Sequence, residues 1–452
     1  MVGSGEYGLY FSLLSFTLLF NILLDMGITN YNNRSLAQDS SLIKRHFLNM
    51  VVVRLLLAIL YGILVFALAL LSGYDGRQLN LLALLVLNQF LAAFMLYLRS
   101  NISGLQFYTT DSMLSVLDKA IMIILCSLVI WGHIFHEQFH IEWFVYVQSI
   151  SYVLAVVIMF VVVLLKSGRL SFTFDQAIAF KIIKQSLPFA LLVFLMGIYT
   201  RFDAVILERI LPDGKIQAGI YAQSFRILDA ASMFAYLFPS LLLPMFARLL
   251  GKGEDVAPLV RLSFSLIFIF AITFSITCFV FNEHIIKLLY HEDHGFSSSV
   301  FAILAIVFIP ISINYIFGTL LTANGSLKQL NYIAGSLAIL NVSLNLILIP
   351  AYKALGAAAA SLITQSLAAV LQIYYCNKIL KIKISNIFII KCLIFVLLSL
   401  MSTWGISKIN GIWLWQFISA ALVICILAIV TGLVSIKEAR RFVTQQSWAV
   451  KE

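Results

Sequence analysis

Long apolar segments recur along the whole chain, and they constrain its fold more than any other feature. Runs of 18 or more predominantly apolar residues, enough to cross the hydrocarbon core of a bilayer, occur throughout the chain. Residues 262–282, for example, contain no charged side chain. Of the 452 residues only 11% are charged and 62% are hydrophobic, whereas about 25% are charged in ordinary globular proteins. This pattern excludes a water-soluble protein and predicts an all-α, multi-pass integral membrane protein.

The apolar segments divide at polar breaks into about thirteen candidate transmembrane helices. In chain order they lie at 8–24, 47–72, 80–98, 113–131, 143–165, 183–210, 217–247, 259–281, 297–322, 330–349, 354–377, 385–403 and 412–435. The connections are short, so we predict no separate soluble domain. Pro310 falls inside a span, and the loss of its backbone donor predicts a kink there.

The distribution of Lys and Arg between the loops predicts the orientation. Twenty of the 30 basic residues fall on one side of the predicted membrane, six fall on the other, and four lie within spans. Because cytoplasmic loops carry the excess of Lys and Arg, the C-terminus is predicted to be cytoplasmic and Met1 periplasmic. The net charge of +10 belongs to these loops, so we expect no binding of nucleic acid.

Two short patterns indicate an internal repeat of six helices. The segment Gly8 to Tyr10 opens the first span as Gly219 to Tyr221 opens the seventh. Asn101, Ser103 and Gln106 follow the third span at the same spacing as Asn324, Ser326 and Gln329 follow the ninth. Repeated helical units of this kind are typical of transporters. The repeat predicts a further helix before Gly8, and hence about fourteen spans in the full protein.

The motifs of several chemistries are missing from the sequence. We find no Gly-rich phosphate-binding loop and no paired acidic motif in a cytoplasmic loop, so we expect neither an enzyme nor a cofactor. The five cysteines lie in apolar stretches without paired spacing. His133, His136, Glu137 and His140 have a spacing that can bind zinc on a helix. We interpret this segment, like His291 to His294, as an interfacial loop, and we expect no metal site.

Charged residues within the spans are the candidate site, because a charge at bilayer depth is costly and tends to serve a function. The substrate-binding candidates are Arg226, Arg201, Arg54 and Lys119. The candidates for coupling or ion pairing are Asp229, Asp203 and Asp25, of which Asp25 directly follows the first span. A cationic cavity favours an anion such as a diphosphate, since Arg matches phosphate oxygens. The acids are candidate proton or sodium sites.

Two other interpretations of these charges stay open. Arg54 and Lys119 lie one to two turns inside the cytoplasmic boundary, from which their side chains can also extend towards the lipid headgroups. Arg226 and Asp229 lie three residues apart on one helix face, so they can also form an ion pair that only fixes helix packing.

Over nearly its whole length the chain resembles the bacterial polysaccharide-unit flippases, which translocate O-antigen and capsule repeat units and belong to the multidrug, oligosaccharidyl-lipid and polysaccharide exporter superfamily. The residues that carry the resemblance are Gly5, Glu6, Tyr7, Gly8, Tyr10, Asp25, Gly27, Arg34, Leu187, Pro188, Tyr199, Arg201, Asp203, Gly219, Ile220, Tyr221, Leu288, Leu289, Tyr290, Asn324 and Gly325. The family has a helix ahead of Gly5, and this chain departs from the pattern there.

The resemblance implies two six-helix lobes, at 1–182 and 183–380, which enclose a central cavity. Residues 381–452 would form two extra helices and a cytoplasmic tail. It further implies that alternating access moves an undecaprenyl-diphosphate-linked oligosaccharide across the bacterial inner membrane, for O-antigen, lipopolysaccharide or capsular polysaccharide biosynthesis. Membrane lipids, a polysaccharide polymerase or export machinery, and coupling to H⁺ or Na⁺ are the implied partners.

Three other functions remain open. A cation-coupled multidrug exporter of the same fold would have a cavity rich in acids and aromatic residues, whereas the cations within these spans favour an anionic substrate. A lipid II flippase also fits the fold. A membrane-embedded polysaccharide polymerase or ligase would require a longer external loop than the sequence contains.

Overall fold

The computed structural model describes residues 3–26, 28, 29, 32, 36, 42–105, 107–131, 140–167, 176–290, 294–381 and 386–433. Every regular element in these residues is an α-helix. The prediction of an all-α fold is therefore confirmed. By its internal contacts the chain forms two compact units, Met1–Glu208 and Arg209–Glu452.

The first unit contains eight described helices, of which the last ends two residues beyond the unit. They are α1 (Ser4–Leu19), α2 (Ile22–Asp25), α3 (Leu42–Leu71), α4 (Gly76–Gly104), α5 (Tyr108–Leu114), α6 (Leu117–Trp131), α7 (Ile141–Ser167) and α8 (Gln176–Ile210). The predicted lobe boundary at 182/183 falls inside α8.

Helix α4 is the centre of the first unit, because it packs against α1, α3 and α7. It begins with a capping box, in which the Asp75 carboxylate accepts from the backbone N–H of Gln78 and the Gln78 amide oxygen accepts from that of Asp75. Its buried side chains contribute to two apolar clusters, one around Leu85 and one around Leu98.

The second unit contains nine described helices. They are α9 (Gly214–Ala235), α10 (Leu237–Gly251), α11 (Ala257–Val280), α12 (Asn282–Leu289), α13 (His294–Ala323), α14 (Leu327–Tyr352), α15 (Ala354–Leu380), α16 (Asn386–Ser407) and α17 (Trp413–Val430). Helix α13 is central and packs against α9, α10, α11 and α15. Helices α16 and α17 pack on α11 through Phe268, Phe395 and Ile424.

Eleven helical stretches among the described residues are long and apolar enough to cross a membrane. This confirms a multi-pass membrane protein, with thirteen as an approximate count. Two predicted spans have no counterpart among these eleven stretches. The span 8–24 covers most of α1 and α2, and the span 183–210 lies within α8. The 16 residues of α1 extend about 24 Å, less than the roughly 30 Å of hydrocarbon. Pro310 lies within α13, which is helical on both sides of it.

Large apolar side chains cover the outer faces of several spans. On α3 they include Ile59 and Ile63, on α6 Ile123 and on α16 Met401, and all four are exposed in the isolated protein. An exposed apolar surface of this extent fits contact with lipid rather than with water.

Candidate functional site

Arg54 on α3 is held inside the first unit by polar groups from three neighbouring segments. Its side chain is only 1% exposed. Nη2 forms a salt bridge with the Asp25 carboxylate and donates to the Thr29 hydroxyl at 2.6 Å. Nη1 donates to the carbonyl of Ala93 at 3.0 Å and to that of Leu24 at 3.4 Å. The structure therefore brings together two of the predicted site residues, Arg54 and Asp25.

The backbone after α2 creates this arrangement. Met26 has a left-handed conformation, with φ of 43°, and it follows directly after the last residue of α2. The Asp25 carboxylate accepts from the Thr29 backbone N–H at 3.2 Å and from the Thr29 hydroxyl. The Tyr97 ring centroid lies 4.8 Å from the Arg54 guanidinium carbon, a distance suited to a cation–π contact.

These contacts show how Arg54 is held in this conformation, and its role in substrate binding stays a prediction. A side chain that is 1% exposed does not extend to the lipid headgroups. Its guanidinium already has a carboxylate, a hydroxyl and two carbonyls as acceptors, so in this conformation it is engaged with the protein rather than with a substrate. The Asp25 side chain is 30% exposed and remains the more accessible member of the pair.

Tyr97, which contacts Arg54, also belongs to a network of buried polar groups formed by α4 and Asn32. Asn32 donates to the Ser100 hydroxyl at 2.9 Å and to the Asn101 amide oxygen at 3.1 Å. Ser100 and Asn101 in turn donate to the carbonyl of Tyr97 at 2.7 and 2.8 Å. In the sequence Asn101 served only as a marker of the repeat. Ser100 and Asn101 follow Tyr97 by three and four residues, so the three share one helix face. This spacing could have indicated a polar face on an apolar helix.

Lys119, on α6, pairs with its neighbour Asp118 at 3.1 Å. The lysine side chain is 64% exposed and the aspartate side chain 11%. A cavity of about 200 Å³ adjoins this pair, and its lining also includes Arg99, Ser115 and Tyr152.

The four other candidates lie on α8 and α9. Arg201 is half-buried and Asp203 is buried, and their separation of two residues directs them to different faces of α8. Arg226 and Asp229 are both half-buried on α9, and their separation of three residues places them on one face. Each of the four makes an interaction within the protein.

Sequence reasoning missed a three-residue ionic cluster that joins the N-terminal ends of α1, α4 and α7. Arg77 donates to both carboxylate oxygens of Glu6, at 3.0 and 2.5 Å, and its Nε donates to Glu142 at 2.7 Å. The three residues are far apart in sequence, so no spacing indicated their contact.

The second unit has an ionic contact between the start of α9 and the turn that joins α14 to α15. Lys353 donates to Asp213 at 2.8 Å, and Gln217 donates to the same carboxylate oxygen at 3.0 Å. The backbone N–H of Ala354 donates to the Gln217 amide oxygen at 3.4 Å. The hydrogen bond from Lys353 is the main cause that lowers the pKa of Asp213 below its ordinary value.

Most of the histidine-rich segment with the zinc-like spacing, residues 132–139, lies outside the described residues, as do residues 291–293. Within the part of the chain that the structure describes, no three His, Cys, Asp or Glu side chains are grouped closely enough to bind a metal ion.

The fold is similar to those of solved membrane transporters. An inward-facing MATE multidrug resistance transporter of the MOP superfamily is 14% identical over 83% of this chain and 90% of its own, with a TM-score of 0.63. The lipid II flippase MurJ in an inward closed conformation is 15% identical over 95% and 96%, with a TM-score of 0.59. A MOP superfamily transporter from Pyrococcus furiosus is 15% identical over 83% and 87%, with a TM-score of 0.57.

At these identities the likeness establishes the fold alone. No curated protein matches the sequence. A family model described as polysaccharide biosynthesis protein matches residues 1–250, which is more than half of the chain. The chain therefore belongs to the polysaccharide biosynthesis protein family, with the helical fold of the MOP superfamily transporters.

Proposed function

We propose that this protein is a flippase that moves a lipid-linked oligosaccharide repeat unit from the cytoplasmic to the periplasmic leaflet of the bacterial inner membrane. One observation carries the proposal: a chain of the polysaccharide biosynthesis family has the fold of membrane transporters along most of its length. Polysaccharide assembly on a lipid carrier requires such a transfer between leaflets, and the transfer itself breaks no bond.

The charges within the spans support an anionic substrate such as an undecaprenyl-diphosphate-linked unit for O-antigen or capsule. Arg201 and Arg226 are half-buried, so their guanidinium groups are partly accessible, unlike that of Arg54. A guanidinium presents paired donors that match phosphate oxygens. We therefore assign Arg201 and Arg226, each taken by itself, as candidates to bind the diphosphate at a stage of the proposed cycle.

A proton or sodium ion is the proposed source of energy, and Asp25 is the first candidate to bind it. Its carboxylate is 30% exposed and faces Arg54. Binding of a cation by the Asp25 carboxylate would weaken its pair with Arg54, which links ion binding to a change in the first unit. Asp203 and Asp229 are the other candidates for coupling.

Deletion of the gene in its own host tests the proposal with the natural sugar unit present. The deletion is expected to abolish surface polysaccharide and to leave the lipid-linked unit in the cytoplasmic leaflet. Restoration with the wild-type gene is expected to reverse both effects, whereas Arg226→Ala and Arg201→Ala are expected to fail. Arg261→Ala is the matched control, because Arg261 is an exposed arginine near the start of α11, on the side predicted to be cytoplasmic.

The outcomes separate the alternatives. Undiminished surface polysaccharide in the deletion strain would refute the flippase. If the deletion instead raised sensitivity to cationic drugs, and Asp229→Asn reproduced that effect at equal expression, the multidrug exporter would replace it. Loss of polysaccharide with the unit already in the periplasmic leaflet would point to a polymerase or ligase.

A further inference from the structure

The cavity beside Lys119 has the features of a binding site for one phospholipid. It lies in the first unit, between α4, the junction of α5 with α6, and α7. Arg99, Ser115, Asp118 and Lys119 form its polar part, and Ala92, Met95, Leu96, Leu114, Tyr152 and Met159 line the rest. Its volume is about 200 Å³.

Polar and apolar groups are separated along the cavity. On α4 the lining extends from Arg99 to Ala92, a rise of about 10 Å from the charged end to a wall of small and apolar side chains. The apolar side chains of Met113 on α5, Val116 in the junction and Ile123 on α6 are exposed next to it. The cavity therefore adjoins the lipid-facing surface, at the membrane side that the basic loops predict to be cytoplasmic.

The charges around the cavity are balanced in sign. Arg99 donates through Nε and Nη2 to the Asp111 carboxylate, at 2.8 and 3.2 Å, and this pair does not use Nη1. Lys119 and Asp118 form the second pair at 3.1 Å, and the lysine side chain is 64% exposed. A purely anionic headgroup that bound Lys119 and Nη1 of Arg99 would leave the Asp118 carboxylate without a cationic partner. A headgroup that carries both signs can satisfy the two pairs together.

We propose that this cavity binds the headgroup of phosphatidylethanolamine. Its phosphate would accept from Lys119 and from Nη1 of Arg99, and its ammonium would donate to Asp118. A primary ammonium has three N–H donors, whereas the quaternary ammonium of phosphatidylcholine has none. The site therefore discriminates between two lipids of the same net charge through one carboxylate. Because binding is measured without transport, this inference does not depend on the proposed flippase.

Native mass spectrometry of the purified, delipidated full-length protein tests the site. The protein is titrated with an equimolar mixture of phosphatidylethanolamine, phosphatidylcholine and phosphatidylglycerol that have identical acyl chains. The wild type is expected to retain phosphatidylethanolamine first. Lys119→Gln is expected to weaken this binding about tenfold, the loss typical of one charge-assisted hydrogen bond. Asp118→Asn is expected to remove the preference for ethanolamine over choline.

Two further variants distinguish a cavity from general surface charge. Ala92→Leu fills the apolar end without changing any charge, and it is expected to reduce binding as strongly as Lys119→Gln does. Lys378→Gln removes an exposed lysine of the second unit that is also predicted to be cytoplasmic, and it is expected to change nothing. Each variant is first checked for wild-type thermal stability.

Three results would overturn the proposal. The first is preferential retention of phosphatidylglycerol, which would indicate simple attraction to the basic side chains. The second is equal retention of the choline and ethanolamine lipids by the wild type. The third is unchanged binding by Ala92→Leu, because a ligand that tolerates a filled cavity does not occupy it.

Discussion

Arg54 and Asp25 show how a membrane helix accommodates a charge. The arginine alone would be costly at this depth, and the salt bridge together with the two carbonyl acceptors offsets that cost. The contact to Asp25 joins residues 29 apart in the sequence. The pair thus connects α3 to the segment after α2, and it bears on stability as well as on the proposed coupling.

We predict that Arg54→Leu destabilises the protein by about 3 kcal/mol. This is the lower end of the range for breaking a buried ion pair, because the Asp25 side chain is 30% exposed and keeps part of its hydration. Thermal unfolding of the purified protein in detergent measures the effect. The double variant with Asp25→Leu is expected to lose less than the sum of the two single losses. Wild-type stability of Arg54→Leu would show that the pair does not stabilise the fold.

Sequence reasoning identified the residues of this pair but not the pairing. Charge within an apolar run marked Arg54, and Asp25 was a separate candidate for coupling or ion pairing. The residue after Asp25, Met26, has a left-handed backbone, and a methionine gives no signal for that conformation. Thr29 and Tyr97, which complete the surroundings of Arg54, also come from other segments of the chain.

At the scale of helices, the length of the apolar runs predicted most spans but few of their ends. The predicted span 217–247 is two helices, α9 and α10, with a break at Tyr236. The predicted span 113–131 begins within the short helix α5 and continues as α6. Hydropathy records how long a segment remains apolar. A break between two helices in such a segment depends on which groups satisfy the freed backbone donors and acceptors, and hydropathy does not contain that information.

The contact between α14 and α15 depends on a glycine. A Cβ atom added at Gly356 would lie 2.3 Å from the carbonyl oxygen of Leu348, and this neighbour is backbone rather than a flexible side chain. The turn at Lys353, with φ of 53°, brings the two helices to this distance. Close approach of helix backbones at small residues is a common way to pack helices in membranes.

Gly356→Ala is therefore predicted to lower the free energy of unfolding by about 1–3 kcal/mol, the typical cost of overpacking a close contact. Gly405→Ala is the matched control, because Gly405 lies in α16 with no atom within 4 Å of an added Cβ. There the alanine is expected to preserve or raise stability through its higher helix propensity. Equal melting temperatures for the two variants would show that the helices separate without cost.

At the scale of the whole molecule, five long helices follow one another in the same order at the start of each unit, before α8 in the first unit and before α16 and α17 in the second. The first has α1, α3, α4, α6 and α7, and the second has α9 with α10, α11, α13, α14 and α15. In each unit an ionic contact joins the N-terminal ends of the first and the fifth of these helices. It consists of Glu6, Arg77 and Glu142 in one unit, and of Asp213 and Lys353 in the other.

The repeat that the sequence predicted from Gly8 to Tyr10 and from Gly219 to Tyr221 stays a prediction, and these contacts support it. Both motifs lie near the start of the first helix of a unit, and Tyr10 and Tyr221 are both buried. The ionic residues differ in type and position between the units. Comparison of the two halves of the sequence therefore could not align them, although they join equivalent helix ends.

The contact in the second unit predicts how stability depends on pH. The pKa of Asp213 is lowered in the folded protein, chiefly by the hydrogen bond from Lys353, so the folded state binds this proton more weakly than the unfolded state does. The stabilisation is therefore complete above the ordinary pKa of 3.8 and is lost as the pH falls below it. Asp213→Asn is expected to melt below the wild type at neutral pH and to approach it in acid.

Thermal unfolding of the wild type, Asp213→Asn and Lys353→Met, from neutral pH to well below 3.8, measures this dependence. Both variants remove the same pair, so both differences from the wild type are expected to shrink over the same acidic range. Differences that stay constant throughout would show that Asp213 contributes without its charge. The ionic contact would then contribute nothing to the stability of the second unit, and the amide network through Gln217 would be what joins α9 to the α14–α15 turn.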